Sequence, residues 1–207
     1  MSRSDFAVFL VDDDPGLLKA LTRLLTAKGY ETQPYTSPAT FLEANDPERP
    51  GCAVIDMAMP EMDGLALQKS LAEKGDVRPI IFLTGEASVS STVHAMQAGA
   101  VDFLEKPVSA QDLFSAVERA AVLDQRSRNE AAERKEIWNR YQRLSKRERE
   151  VLSLVIAGFL NKQMAYRLGI VEKTVKVHRR RMLLKMKVHT VAELVRMTET
   201  IGVRPAT

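Results

Sequence analysis

The chain of 207 residues is 45% hydrophobic and 28% charged, the balance of an ordinary globular protein. It has no run of about 20 apolar residues, which excludes a membrane-spanning helix. Met1-Ser2-Arg3-Ser4-Asp5 lacks the basic start and long apolar core of a secretory signal peptide. The formal net charge of +3 conceals a split: residues 1–123 hold 10 Lys and Arg against 18 Asp and Glu, while residues 124–207 hold 20 against 9. An acidic half and a basic half predict two domains, the basic one directed at nucleic acid. Cys52 stands alone, so it forms no internal disulfide; it reads as a small core residue in a reducing cytoplasm.

The N-terminal half alternates strand and helix. Phe6 to Val11 is a continuous apolar run, as in a central parallel strand, and it stops at Asp12-Asp13-Asp14. Pro15 opens a helix with Leu17, Leu18, Leu21, Leu24 and Leu25 at helical spacing, and Gly29 ends it. Residues 30–35 form a weaker strand towards one side of the sheet, and 37–45 a short helix. The run Cys52-Ala53-Val54-Ile55 is a buried strand ending on Asp56. A helix from Leu65 to Lys74 follows, then a strand from Pro79 to Thr84. Residues 88–98 are helical with Gly99 as the stop; Val101 to Glu105 is a fifth strand before Lys106-Pro107, and a last helix starts near Ala110. Five strand–helix repeats predict a parallel sheet covered by helices on both faces.

Ligands of such sheets bind beyond the carboxyl ends of the strands. Those ends carry Asp12 and Asp13, Asp56, Thr84 and Lys106. Two carboxylates about 4 Å apart repel by about 4 kcal/mol at an effective dielectric near 20. A cluster of them therefore calls for a cation, and a hard oxygen set suits Mg²⁺. With the charge shielded, an Asp carboxylate can act as a nucleophile towards phosphorus, Lys106 can neutralise phosphoryl oxygens, and the Thr84 hydroxyl can donate to one. Asp14, beside Pro15, is explained as an acid at a helix start.

The series Val11-Asp12-Asp13, Asp56-x-x-Met59-Pro60-x-x-x-Gly64, Thr84-Gly85 and Lys106-Pro107 resembles the receiver domains of two-component response regulators, over residues 5–123. The resemblance implies a flavodoxin-like, doubly wound five-stranded parallel sheet with Asp56 as phosphoacceptor. It implies a Mg²⁺ site of Asp12, Asp13, Asp56 and the Ala58 backbone carbonyl. Asp13 would contact the ion directly and Asp12 through water. Thr84 and Phe103 would be the switch pair, Phe103 being by pattern also a core aromatic. Lys106 would touch the phosphoryl group and precede a cis bond to Pro107. Ala58 supplies no side chain where many relatives have a polar one. Glu86 is either a solvated loop acid or a residue that orients the hydrolytic water.

Residues 124–143 are charge-rich and contain no Pro or Gly, which predicts a helical connector continuing the last receiver helix. Its Ile137, Trp138 and Tyr141 are expected to pack on a neighbouring domain. Ser145 and Glu148 form a capping box ahead of Val151, Leu152, Val155 and Ile156. A helix from Asn161 buries Met164, Ala165 and Leu168; Gly169-Ile170 turns; a third helix begins near Glu172. This is helix-turn-helix spacing. At 100° per residue Val175, Met182 and Met186 share the packed face of the third helix, while Lys173, Lys176, Val177, Arg180 and Arg181 lie opposite, with partner acids at i+4 largely missing. Leu184 falls on the basic side and is expected to pack on the last helix, Val191 to Thr200.

Leu144-Ser145-x-Arg147-Glu148, Asn161-Lys162-x-Met164-Ala165, Leu168-Gly169-Ile170 and Thr174-Val175-Lys176-x-His178 resemble the LuxR/NarL/FixJ-type DNA-binding domain. The resemblance implies a small all-α unit of four helices over 144–207. It implies DNA contacts from Lys162, Lys173, Thr174, Lys176, Val177, Arg179, Arg180 and Arg181. Lys176, Val177 and Arg180 would be nearest the bases, Arg179 would meet phosphate, and His178 would pack between helices. Val171 stands where relatives place a capping Ser. Val191, Leu194 and Val195 are the candidates for dimer contacts. Both resemblances together imply a cytoplasmic, phosphorylation-controlled transcription regulator, not an enzyme beyond transfer to its own Asp56 and limited self-dephosphorylation. The implied partners are a sensor histidine kinase, double-stranded DNA, RNA polymerase and a second copy of the chain on phosphorylation or DNA binding. A phosphatase with an Asp nucleophile would want a second Asp at position 58, which is Ala58.

Overall fold

The computed structural model describes residues 6–85 and 99–206. The expected helix over 88–98, and Glu86, lie outside the described residues. Two compact units are present, Met1–Arg128 and Asn129–Thr207. No helix among the described residues is long and apolar enough to cross a membrane.

In the N-terminal unit five strands, β1 (Ala7–Val11), β2 (Glu31–Tyr35), β3 (Gly51–Asp56), β4 (Ile80–Thr84) and β5 (Asp102–Glu105), form a parallel sheet in the order β2-β1-β3-β4-β5. The weaker second strand is an edge strand, as its polar composition suggests. Pro34, which cannot donate to a ladder, sits there. The central strands β1, β3 and β4 are buried on both faces, and their side chains sort by alternation. Val8, Leu10, Cys52, Val54, Ile81 and Leu83 face α1 (Pro15–Ala27) and the first part of α4 (Ala110–Gln142). Phe9, Val11, Ala53, Ile55, Ile80 and Phe82 face α2 (Pro38–Ala44) and α3 (Gly64–Glu73).

Local chemistry sets where these helices begin. Asp14 caps α1, its Oδ1 accepting from the amides of Gly16 and Leu17 at 2.7 and 3.3 Å. Gly64 opens α3 against the sheet. A Cβ there would lie 2.7 Å from the Asp56 carbonyl oxygen, so any larger residue would displace the end of β3.

α4 is helical from Ala110 to Gln142, and the division into units falls within it, after Arg128. In the C-terminal unit, Ile137 is 2% exposed and joins the core, with Tyr141 partly buried against it. Trp138 differs from expectation: it is 43% exposed and stacks on Tyr141 instead of entering the core. Helices α5 (Lys146–Ile156), α6 (Asn161–Leu168), α7 (Glu172–Met186) and α8 (Val191–Thr200) complete the unit. Met164, Val175, Met182, Met186 and Leu194 close its centre.

Two expected positions are corrected here. Leu194 is fully buried in this core, because it faces α5 rather than solvent, so it offers no surface for a dimer contact. Val191 and Val195 are half-buried. Leu184 is 67% exposed and does not pack on α8; the inner side of α7 is already filled by Met182 and Met186.

The capping box at Ser145 is formed, and Glu148 in it has a second task. Its Oε2 accepts from the Ser145 amide at 2.8 Å and from Lys185 Nζ at 2.6 Å, tying α5 to α7. Burial pushes the Glu148 carboxyl up, but Lys185 and the Ser145 groups outweigh it and hold it below the ordinary range. A depressed folded-state pKa stabilises above the unfolded value of about 4.3 and is lost as pH falls through the folded value. Glu148→Gln is therefore expected to cost about 2 kcal/mol at neutral pH, by leaving Lys185 without its charge partner. The difference from wild type should shrink on acidification, which thermal melts at pH 7 and pH 3 will measure.

Candidate functional site

Strand register brings the chemical groups together. Val11 pairs with Ile55, so Asp12 and Asp56 leave adjacent strands at the same level. Asp56 pairs with Leu83, and Thr84 with Glu105, which puts Thr84 and Lys106 one step beyond on the far side. The Lys106 amide donates to the Thr84 carbonyl at 2.7 Å, and the Lys106–Pro107 peptide is cis.

Asp12 and Asp56 are 1% and 5% exposed, whereas Asp13 is exposed. The three offer carboxylate oxygens that all lie within 4.8 Å of one another. Lys106 Nζ bridges two of them, at 2.8 Å from Asp12 Oδ2 and 3.0 Å from Asp56 Oδ1. Asp12 Oδ1 also accepts from the Asp14 amide at 2.8 Å, which fixes its rotamer. Burial raises the Asp56 carboxyl above its usual range; hydrogen bonding to Lys106 opposes this and the Asp12 charge adds to it. Burial acts to lower Lys106, but its bonds to Asp12 and Asp56 prevail and raise it, so it is a full cation at neutral pH.

Three carboxylates against one ammonium leave an excess of two negative charges in a largely buried cleft. An all-oxygen donor set with that excess fits a hard divalent cation. Ala58 is exposed beside the cluster, and its backbone amide hydrogen-bonds Asp56. Thr84 is 6% exposed at the end of β4. Phe103 is half-buried on β5 opposite Phe82, with ring centroids 6.5 Å apart, so it belongs in part to the core.

The second group of residues lies on α6 and α7. Lys162, Lys173, Lys176, Val177, Arg180 and Arg181 are exposed, and Thr174 and Arg179 half-buried. His178 is half-buried. Arg179 donates to Asn161 Oδ1 at 3.0 Å, joining α7 to the start of α6. One expectation needs correction: the basic face does have a local acid, because Glu172 lies 3.0 Å from Lys176 at i,i+4 spacing. That pair is exposed and weak, on the order of 0.3–0.5 kcal/mol. Val171 makes no side-chain cap, as its side chain requires, and α7 starts without that bond.

Residues missed in the sequence include Lys185 as the partner of Glu148, and Asp124 with Arg128 near the end of the N-terminal unit. The i,i+4 spacing of Asp124 and Arg128 was a readable signal; the 37-residue separation of Glu148 and Lys185 was not.

Residues 8–118 match the family described as response regulator receiver domain, and residues 142–198 the one described as bacterial regulatory proteins, luxR family. The chain is 41% identical over 201 residues to the response regulator protein TmoT of Ectopseudomonas mendocina, covering 97% of this chain and 91% of TmoT. It is 38% identical over 203 residues to the transcriptional regulatory protein FixJ of Rhizobium meliloti, covering 98% of this chain and 100% of FixJ. The solved structure of the response regulator StyR matches with a TM-score of 0.82 at 40% identity, over 95% of this chain and 99% of that one.

Proposed function

The chain belongs to the two-component response regulators that join a receiver domain to a LuxR-type DNA-binding domain, and on that premise we propose that a sensor histidine kinase phosphorylates Asp56 and thereby controls DNA binding and transcription. The observation that carries this reading is the cluster at the strand ends: three carboxylates within 4.8 Å, with Lys106 bridging Asp12 and Asp56.

An Asp56 carboxylate oxygen forms a bond to phosphorus as the P–N bond of the kinase phosphohistidine breaks. The electron pair goes to the imidazole nitrogen, which takes up a proton. Lys106, already 3.0 Å from Asp56, neutralises charge on the transferred phosphoryl group. The Thr84 hydroxyl donates to a phosphoryl oxygen, and Thr84 with Phe103 forms the switch. Asp12, Asp13, Asp56 and the Ala58 carbonyl would hold Mg²⁺, which when bound supplies positive charge that lets a phosphate approach the carboxylates. The chain's only reactions are transfer to its own Asp56 and limited hydrolysis of the product.

In the C-terminal unit α7 enters the major groove of double-stranded DNA. Lys176, Val177 and Arg180 face base edges or the groove, Arg179 lies towards phosphate, and Lys162, Lys173, Thr174 and Arg181 add further DNA contacts. Two copies bind as a homodimer about one DNA turn apart and activate transcription by RNA polymerase. A cytoplasmic protein is the reading that agrees with these proposed partners.

A gel shift of the full chain against fragments from a genomic DNA pool, with and without a small phosphodonor and Mg²⁺, tests the reading. Affinity for the selected fragment is expected to rise at least about fivefold with the phosphodonor, the lower end of ordinary coupling energies. An unchanged affinity would leave the receiver as a dimerisation platform only.

A further inference from the structure

At the opposite edge of the sheet from the acidic cluster lies a second polar assembly. Asp124 of α4 is 3% exposed. It accepts from Arg128 Nε with both oxygens at 3.0 Å, and the Gly51 amide hydrogen-bonds it as well. The rest of the Arg128 guanidinium donates to three successive carbonyls of the loop between α2 and β3: Pro47 at 3.1 Å, Glu48 at 2.8 Å and Arg49 at 2.7 Å. A planar fork can serve all these acceptors at once, whereas an ammonium cannot.

The same loop is braced from within. Arg78 Nη2 donates to the Asp46 carbonyl at 2.9 Å, and Arg78 Nε pairs with Asp76 at 2.7 Å. Asn45 donates to Asp76 at 2.9 Å. The Arg78 guanidinium lies 4.3 Å over the Phe9 ring. An i,i+4 ion pair that only stiffened α4 would need none of these loop contacts.

Two facts give the assembly a position of consequence. The N-terminal unit ends at Arg128, the residue that makes the contacts. β3 also runs from Gly51, bonded to Asp124, to Asp56, so one fully buried strand has the phosphoacceptor candidate at one end and this assembly at the other. Six residues of strand span about 17 Å.

We propose that Asp124 and Arg128 form a clasp that holds the last stretch of α4 within the N-terminal unit, and that modification at Asp56 changes DNA affinity only while this clasp is closed. The proposal rests on the reading of Asp56 given above and adds the residues through which it is read out.

The full chain carrying Arg128→Ala tests it, with Arg128→Lys and Asp124→Asn beside it. Amide hydrogen exchange at Glu48, Arg49 and Gly51 and over residues 120–128 is expected to quicken by about tenfold or more in Arg128→Ala, as local opening becomes easier. Phosphoryl labelling from a small phosphodonor should stay within about twofold of wild type, because Arg128 lies far from the acidic cluster. The ratio of DNA affinities with and without phosphodonor should fall close to one. Arg128→Lys, which keeps the charge beside Asp124 but cannot span the carbonyls, should retain less than half of the wild-type response. If Arg128→Ala does not melt cooperatively, Arg128→Lys and Asp124→Asn decide the same comparison. Unchanged exchange, or a full wild-type affinity ratio in the variants, overturns the clasp while leaving the Asp56 reading intact. A wild type that takes up no label, or whose DNA affinity does not respond, overturns the Asp56 reading and the clasp with it.

Discussion

Replacing Asp56 with Asn is expected to abolish phosphoryl uptake and, with it, the phosphodonor-dependent rise in DNA affinity. The amide has nearly the shape of the carboxylate and keeps an oxygen for Lys106, which lies 3.0 Å from Asp56 Oδ1. It lacks the anionic oxygen that attacks phosphorus. Loss of label therefore reports chemistry and not collapse. Stability supports the distinction: the change removes one of three like charges whose oxygens lie within 4.8 Å. Repulsion at about 4 Å is on the order of 4 kcal/mol per pair at an effective dielectric near 20. Asp56→Asn should then melt no lower than wild type. The measurement is label per chain from a small phosphodonor with Mg²⁺, alongside a thermal melt. Label on a correctly folded Asp56→Asn chain would move the acceptor to another acid.

The second large effect is expected on α7. Arg180→Ala should weaken DNA binding by about 1–3 kcal/mol, on the order of 5- to 150-fold, and change the preference at the base it faces. Lys176→Ala should also weaken binding and flatten its salt dependence, because it removes a positive charge from the DNA-facing side, but with less consequence for affinity. The difference comes from Glu172, 3.0 Å from Lys176, which already shares that charge and must release it to DNA. Arg180 is exposed on the same face. Titrations at several salt concentrations separate the two effects; equal losses for both residues, with no change in base preference, would place Arg180 on phosphate.

Much of the acidic cluster was legible because apolar runs end abruptly on chemistry-bearing residues. Asp12 follows a buried run, Asp56 and Thr84 end theirs, and Lys106 follows the shorter, half-buried strand Asp102–Glu105. A parallel sheet puts all strand ends at one edge, so these four residues, with Asp13 beside Asp12, could be collected without knowing the order of the strands. The helix phase of α7 was legible too: Val175, Met182 and Met186 are fully buried, as a 100° repeat requires. The same repeat carried the Glu172–Lys176 pair, which the spacing alone could have revealed.

Leu184 and Leu194 show where periodicity stops. A helical wheel gives a side chain's direction but not whether a neighbour stands there. Leu184 finds none and remains 67% exposed, while Leu194 meets the core and vanishes from the surface. The contacts between distant residues follow the same logic. Lys106 meets Asp12 across 94 positions only because the order β2-β1-β3-β4-β5 sets their strands around β3. Glu148 meets Lys185, and Arg128 meets the carbonyls of residues 47–49, through packing that no local pattern encodes. The amino-acid order alone thus determined the elements, their buried faces and the residues at their ends, since these depend on steric preference and hydrophobic period within a few turns of chain. Tertiary structure alone decided which charges neutralise one another and which apolar side chains are covered, because both depend on distances set by strand order and helix packing.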